Sequence, residues 1–321
     1  MRRTGRDDGG PAGAAVKVTS EPGLARRKHV MLRPPPRRIG ETLAAYLFLA
    51  PYLLVFLLFL LLPTLASIGV SFTQWGVLGL PRWLGLANYR TILSDQMFWQ
   101  AFRNTLYFAF LTVPLLVAGG LGLAVLFNQS LRGRVVARTV VFMPYAIMVT
   151  VVGMLWRWMY NANFGLVNFY LSALGLPQVA WLTNVTWAMP GVAISTAWWQ
   201  IGTNMVIYLA GLQEIPVELY EAARVDGAGP WQSFRNITLP GLYLMHVFVV
   251  PLSVIASLRA FGQILVMTHG GPLGSTYVLV QHLYATGWVN FRMGEASAVG
   301  VILLLITFIF TIFQLRYFRA I

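Results

Sequence analysis

Residues 221–240 read EAARVDGAGPWQSFRNITLP. This polar, charged stretch lies between two long apolar runs, and its punctuation predicts two short helices. Pro216 suits the first turn of a helix, Glu218 and Glu221 follow near its positive end, and Gly227 is placed to terminate it. Pro230 then opens a second short helix through Trp231, Phe234 and Ile237. Ala222 and Ala223 allow the close approach of a partner backbone, with Leu219, Val225 and Phe234 as apolar anchors around them. Two readings stand at this point: a knob that enters a groove on another protein, or a helix pair lying on the inner leaflet.

The composition outside this stretch is that of a membrane protein. The chain has 321 residues, 57% of them hydrophobic, 10% charged, with a mean hydropathy of +0.67; a soluble domain carries about a quarter charged residues. The run 43–62 has no charge, and at about 1.5 Å per residue it crosses a hydrocarbon core of roughly 30 Å. Further runs at 102–127, 136–159, 190–212, 239–259 and 297–316 bring the expected spans to six. The fold class expected is therefore an all-α integral membrane protein, with a disordered basic tail over 1–40, a transmembrane domain over 41–321 and a polar loop over 214–240.

The net charge of +13 does not point to nucleic acid, because the 23 basic residues are distributed by side. Ten lie in the first 40 residues, and Arg132, Arg134, Arg138, Arg224, Arg235, Arg316 and Arg319 join them on one side. Only Arg82, Arg90 and Arg292 fall in the opposite loops, with Arg103, Arg157 and Arg259 near span ends. The positive-inside bias places both termini, and the 221–240 loop, in the cytoplasm. The first apolar run starts late and is long enough to span, so no cleavable leader is expected.

Missing residues narrow the chemistry. The ten acids are Asp7, Asp8, Glu21, Glu41, Asp95, Glu214, Glu218, Glu221, Asp226 and Glu295, none inside an expected span. Ion-coupled carriers commonly rely on buried carboxylates, so a stand-alone carrier is disfavoured. A membrane-embedded enzyme predicts clustered His, Asp or Glu at a membrane face, whereas the acids here gather in the 214–226 region. Lys17 and Lys28 are the only lysines, and no phosphate-binding loop is present. If ATP drives this protein, another chain hydrolyses it. With no cysteine and four scattered histidines, no metal site is expected.

The 221–240 stretch resembles the signature loop of permease subunits in binding-protein-dependent ABC importers. The shared pattern falls on Glu221, Ala222, Ala223, Asp226, Gly227, Ala228, Phe234, Ile237, Leu239 and Pro240, with the lead-in Ile215, Pro216, Glu218, Leu219 and Tyr220. A second match, MTHGGPLGST at 267–276, resembles an outer-loop motif of the carbohydrate branch, carried by Thr268, Gly270, Gly271 and Pro272; His269 stands where that branch often has glycine. A third, from Met143 and Pro144 through Trp156, Trp158 and residues 165–168, is similar to maltose-type permeases. The resemblance implies a type I importer fold in the cytoplasmic membrane of a prokaryote and a loop that docks on an ATPase. It also implies a second permease chain, two ATPase subunits that bind ATP and Mg²⁺, an extracytoplasmic solute-binding protein and a sugar or glycerol-phosphate solute.

The spans themselves offer a path. Thr196, Gln200, Thr203 and Asn204 form one polar stripe with Trp199 beside it, and Ser253, Ser257, Arg259 and Gln263 repeat the pattern more weakly. Such a stripe faces either a water-filled path or a neighbouring helix. Trp156, Trp158 and Trp199 are candidates for stacking on a sugar ring, with Asn161, Gln200 and Asn204 for its hydroxyls; interfacial anchoring is the competing role for each tryptophan. Arg157 and Arg259 suit a phosphate or an outer interface equally. His246 is expected to pack or hydrogen-bond, and Gly119, Gly120 and Gly122 to let helices approach.

Overall fold

The computed structural model describes residues 39–76 and 79–319. The tail expected over 1–40 therefore falls outside the described residues, apart from Ile39 and Gly40, which already belong to a helix. The chain divides into two units, one ending at Val55 and the other running from Phe56. The described part of the first unit lies in helix α1 (Ile39–Phe56), whose last residue belongs to the second.

The second unit begins with a π-helical turn (Leu57–Leu61) and α2 (Leu62–Val70). A small antiparallel hairpin follows, β1 (Thr73–Gln74) on β2 (Arg82–Trp83), with Thr73 opposite Trp83; the all-helical expectation did not include it. Then come α3 (Ala87–Ser94), α4 (Gln96–Asn128), α5 (Arg134–Phe142), a 3₁₀ turn (Met143–Ala146), α6 (Val149–Met159) and α7 (Leu166–Ala173). The long α8 (Val185–Glu214) leads into α9 (Val217–Val225), α10 (Pro230–Ser233) and α11 (Leu239–Gly241), the last two joined by a π-helical turn. The chain ends with α12 (Tyr243–Leu258), α13 (Gly262–Thr268), α14 (Leu279–Tyr284) and α15 (Met293–Arg319).

Among the described residues, three helical stretches are long and apolar enough to cross a bilayer: Tyr46–Val70, Gln96–Asn128 and Met293–Phe318. Two bent pairs pass together, Arg134–Ala146 with Val149–Met159 at 104° and Pro230–Gly241 with Tyr243–Leu258 at 71°. The expected span 136–159 is thus two helices, not one. Pro144 lies in the 3₁₀ turn, and Ile147 and Met148 are extended, which ends the helical ladder there. The expected span 190–212 lies in α8, which is 30 residues long but is not among the stretches apolar enough to pass. Its position explains the polarity, because α8 packs against α4, α5, α6, α12 and α13 and buries much of its length among them.

Close helix approach depends on glycine at the α4–α8 seam. A Cβ on Gly120 would lie 2.7 Å from the Cβ of Asn204, and one on Gly119 would lie 2.5 Å from Ile201 Cδ1. Among the described residues, nothing lies within 4 Å of a Cβ on Gly122.

Candidate functional site

The 214–240 loop folds as its punctuation predicts. Pro216 precedes α9, Glu218 stands in the first turn, and Gly227 adopts φ 75° just past the end. The Ala228 N–H then reaches back to the Ala223 carbonyl at 2.8 Å, closing the helix with a Schellman-type bond. The Tyr220 hydroxyl meets Thr238 Oγ1 at 2.9 Å and ties α9 to the second helix, while the Phe234 ring stacks on Trp231 at 5.5 Å. Glu218, Glu221, Ala222, Asp226, Leu219, Val225 and Trp231 are exposed, Ala223, Ala228 and Phe234 half-buried. Val225 is 89% and Trp231 71% exposed, so the loop presents acids and apolar anchors together on an uncovered surface.

A cavity of about 210 Å³ lies in the helical region, where the chain breaks twice. One break is Ile147–Met148, between the 3₁₀ turn and α6; the other is residues 259–261, between α12 and α13. Thr196 and Gln200 of the polar stripe line it with Trp199, as do Ser257, Arg259 and Gln263 of the weaker pattern, with Phe108, Val149 and Phe261 as apolar wall; Thr203, Asn204 and Ser253 do not. Irregular backbone at membrane depth is tolerated where it lines a cavity, and half-helix ends at such breaks are where transporters hold solutes. The Trp199 Nε1–H donates to the Ile147 carbonyl at 3.2 Å, so this indole satisfies one of the groups freed by the break. Gln263 is held on both sides: its Oε1 accepts from Thr196 Oγ1 at 2.8 Å and its Nε2 donates to Ser195 Oγ at 2.8 Å. Among the described residues, the side chains of Gln200 and Arg259 have no hydrogen-bond or ion-pair partner.

Other candidates sit elsewhere. Asn204 Nδ2 donates to Ser253 Oγ at 3.0 Å and to the Leu116 carbonyl at 3.2 Å, in the packed seam of α4, α8 and α12. Thr203 Oγ1 donates back to the Gln200 carbonyl within its own helix. Trp156 is buried in a core with Tyr160, Met189 and Met267, and Trp158 is 50% exposed, so neither lines this cavity.

The 267–276 motif closes on itself. Thr268 Oγ1 and Thr276 Oγ1 lie 2.7 Å apart, Thr276 also donates to the Gly271 carbonyl at 2.8 Å, and the Gly271–Pro272 peptide is cis. Gly270 has φ 86°, and a Cβ there would lie 2.9 Å from both Gln281 and Tyr277. The loop hangs from α4: Asn104 Nδ2 donates to the Gly274 and Tyr277 carbonyls at 2.7 and 2.9 Å, and Thr105 Oγ1 accepts from the Leu279 N–H at 2.9 Å. Local sequence carries no signal for these anchors, whose partners lie more than 150 residues away. A second cavity, about 390 Å³, opens beside the motif between Arg157, residues 160–163, residues 180–183 and residues 267–269.

A central polar helix, a cavity at two helix breaks and an exposed polar loop are the features of a solute permease. The model of the family "Binding-protein-dependent transport system inner membrane component" matches residues 116–321. The chain belongs to this family; it is an ABC importer permease, not an enzyme, and ATP hydrolysis falls to other chains. It is 36% identical over 280 residues to the probable ABC transporter permease protein YurN of Bacillus subtilis, covering 86% of this chain and 96% of that one. It is also 36% identical over 282 residues to the trehalose/maltose transport system permease protein MalF of Thermococcus litoralis, covering 87% and 95%. Among solved structures, a bacterial ABC transporter involved in import of the acidic polysaccharide alginate superposes with a TM-score of 0.76 at 26% identity, covering 88% of this chain and 97% of that one.

Proposed function

We propose that this permease carries a disaccharide or short oligosaccharide inward by alternating access, through the cavity at Trp199, Gln200, Ser257 and Arg259. The observation that carries the reading is that cavity's lining: an aromatic face, amide and hydroxyl groups, two broken helices and no carboxylate. Aromatic faces suit the apolar side of a sugar ring and amides its hydroxyls. Relatives named for trehalose/maltose and arabinooligosaccharide transport support a saccharide. The unpartnered Arg259 favours a second reading, a glycerol phosphate, and one relative is named as an sn-glycerol-3-phosphate permease.

In this reading the assembly holds a second, different permease chain, two ATPase subunits binding ATP and Mg²⁺, and an extracytoplasmic solute-binding protein, with both termini cytoplasmic. Glu218, Leu219, Glu221, Ala222, Ala223, Asp226, Gly227, Ala228 and Phe234 enter a groove on an ATPase, and closure of the ATPases switches the cavity from inward-facing to outward-facing. Thr268, Gly270, Gly271 and Pro272 stiffen the outer loop. The test is to purify the chain with its co-purifying proteins, reconstitute them, and measure ATP-dependent uptake of maltose-type saccharides and of glycerol 3-phosphate. Glu221→Lys is expected to abolish uptake and ATPase recovery together. Wild-type uptake and assembly in that variant would remove the coupling role, and uptake by the chain alone would favour a stand-alone carrier.

A further inference from the structure

The cavity beside the outer motif carries groups that the transport path does not use. Its floor is the Tyr160–Trp181 pair, stacked with centroids 5.0 Å apart and planes 23° from parallel. The indole is locked, because Trp181 Nε1 donates to Asn168 Oδ1 at 3.1 Å, and Asn168 in turn donates from Nδ2 to the Val179 carbonyl at 3.0 Å. Asn161 Oδ1 is occupied by the Asn163 and Phe164 N–H groups, which leaves its Nδ2 as a donor on the wall. Arg157 and His269 complete the polar lining, and no Asp or Glu is among the lining residues. Asp95 and Glu295 line a different cavity, with His282.

His269 sits in the left-handed region at φ 52°, its N–H bonded to the Ile264 and Leu265 carbonyls at 3.2 Å. A residue with a Cβ costs roughly 1–2 kcal/mol in that conformation, which glycine adopts freely. The helix terminus alone asks for glycine, so the imidazole placed there at a conformational cost, on the wall of an acid-free cavity, points to a role for the side chain.

We propose that this outer cavity binds the anionic group of an acidic saccharide, held by Arg157 and His269 with a sugar ring against the Tyr160–Trp181 pair. The inference rests on the transport reading above and narrows its solute to sugars bearing a carboxylate or a comparable anion. The cavity, about 390 Å³, falls in the roughly 300–1,000 Å³ range of small-molecule sites. It shares α6 and α13 with the cavity at Trp199, so a solute released at the outer cavity lies along the two helices that frame the inner one.

The test titrates digalacturonate, and separately its uncharged dimethyl ester, into the purified permease complex without binding protein, following tryptophan fluorescence. Saturable binding of the acid with the ester at least about tenfold weaker is expected, as is a loss of about tenfold in affinity for the acid in both Arg157→Gln and His269→Gly. Glycine relieves the backbone at position 269, so a loss in that variant does not come from misfolding. Equal binding of acid and ester, no saturable binding of the acid, or unchanged affinity in His269→Gly overturns the proposal. Loss of binding in Arg259→Gln but not in Arg157→Gln moves the site to the inner cavity and also overturns it. If uptake of a neutral saccharide persists independently of Arg157 and His269, this proposal fails while the transport reading stands; if the complex takes up no saccharide at all, the transport reading fails.

Discussion

The side-chain amide of Asn204 donates to the hydroxyl of Ser253 at 3.0 Å, joining α8 to α12, and to the Leu116 carbonyl of α4 at 3.2 Å. Both side chains are buried. A polar pair that satisfies itself between helices ties the bundle together. Measured interhelical hydrogen bonds in membranes average about 0.6 kcal/mol and reach about 1.7 kcal/mol. A double-mutant cycle on Asn204→Ala and Ser253→Ala is expected to return a coupling of that size in thermal stability, with solute preference unchanged. Altered solute preference in either single variant would return the pair to the transport path.

Trp199 presents a different balance, because its ring lines the inner cavity while its nitrogen caps the Ile147 carbonyl. Trp199→Phe keeps an aromatic face and removes the donor, leaving a carbonyl unpaired at a helix break, which costs about 1–3 kcal/mol. The expected result is lower stability with uptake affinity nearly retained. Trp199→Ala is expected to weaken solute affinity as well, read as a raised KM for uptake. Equal KM values in the two variants would show that the ring does not face the solute.

Gly227 isolates a backbone effect in the 214–240 loop. Its φ is 75°, and nothing lies within 4 Å of the position a Cβ would take, so Gly227→Ala meets no steric neighbour. The substitution is expected to cost roughly 1–2 kcal/mol through conformation alone and to fray the C-terminal turn of α9. ATP-dependent uptake should fall while the amount of folded permease, followed by size-exclusion chromatography, stays near wild type. Full uptake would mean that the α9 terminus need not be fixed for coupling.

What the sequence disclosed depended on how local the cause was. The α9 terminus, with Pro216, Glu218 and Gly227, was legible because each residue acts within one turn of itself. The polar stripe at Thr196, Gln200, Thr203 and Asn204 was legible as a pattern, but one helix has several neighbours. Which stripe residues meet a cavity and which meet Ser253 depends on α12, some fifty residues further on. The bend at Ile147–Met148 was hidden by an apolar run of spanning length, although Pro144 marked its position. In the sequence His269 is only a departure from a frequent glycine; its positive φ and the cavity beside it suggest a role for the imidazole. The anchoring of the 267–276 loop by Asn104 and Thr105 left no trace in spacing at all.

His282 in α14 gives the chain a pH dependence whose sign can be worked out. Its Nε2 lies 3.8 Å from Asp95 Oδ2, in a cavity that also holds Tyr277, Arg292 and Glu295. Burial pushes the imidazole below its usual value of 6.5, and the nearby carboxylates of Asp95 and then Glu295 pull it up without overcoming that effect. The folded protein thus holds His282 neutral at pH values where the unfolded chain already binds a proton. Where the unfolded state binds more protons, stability rises with pH. The contribution is complete above about pH 6.5 and is lost as pH falls from there toward the lowered folded value. Thermal unfolding of the purified complex, followed at a series of pH values between about 7.5 and 5.5, is expected to show a falling Tm on acidification. In His282→Gln the slope should be shallower, because the group responsible no longer titrates. A wild-type slope in that variant would assign the dependence to other groups, and a Tm that rises on acidification would mean that the Asp95 carboxylate outweighs burial.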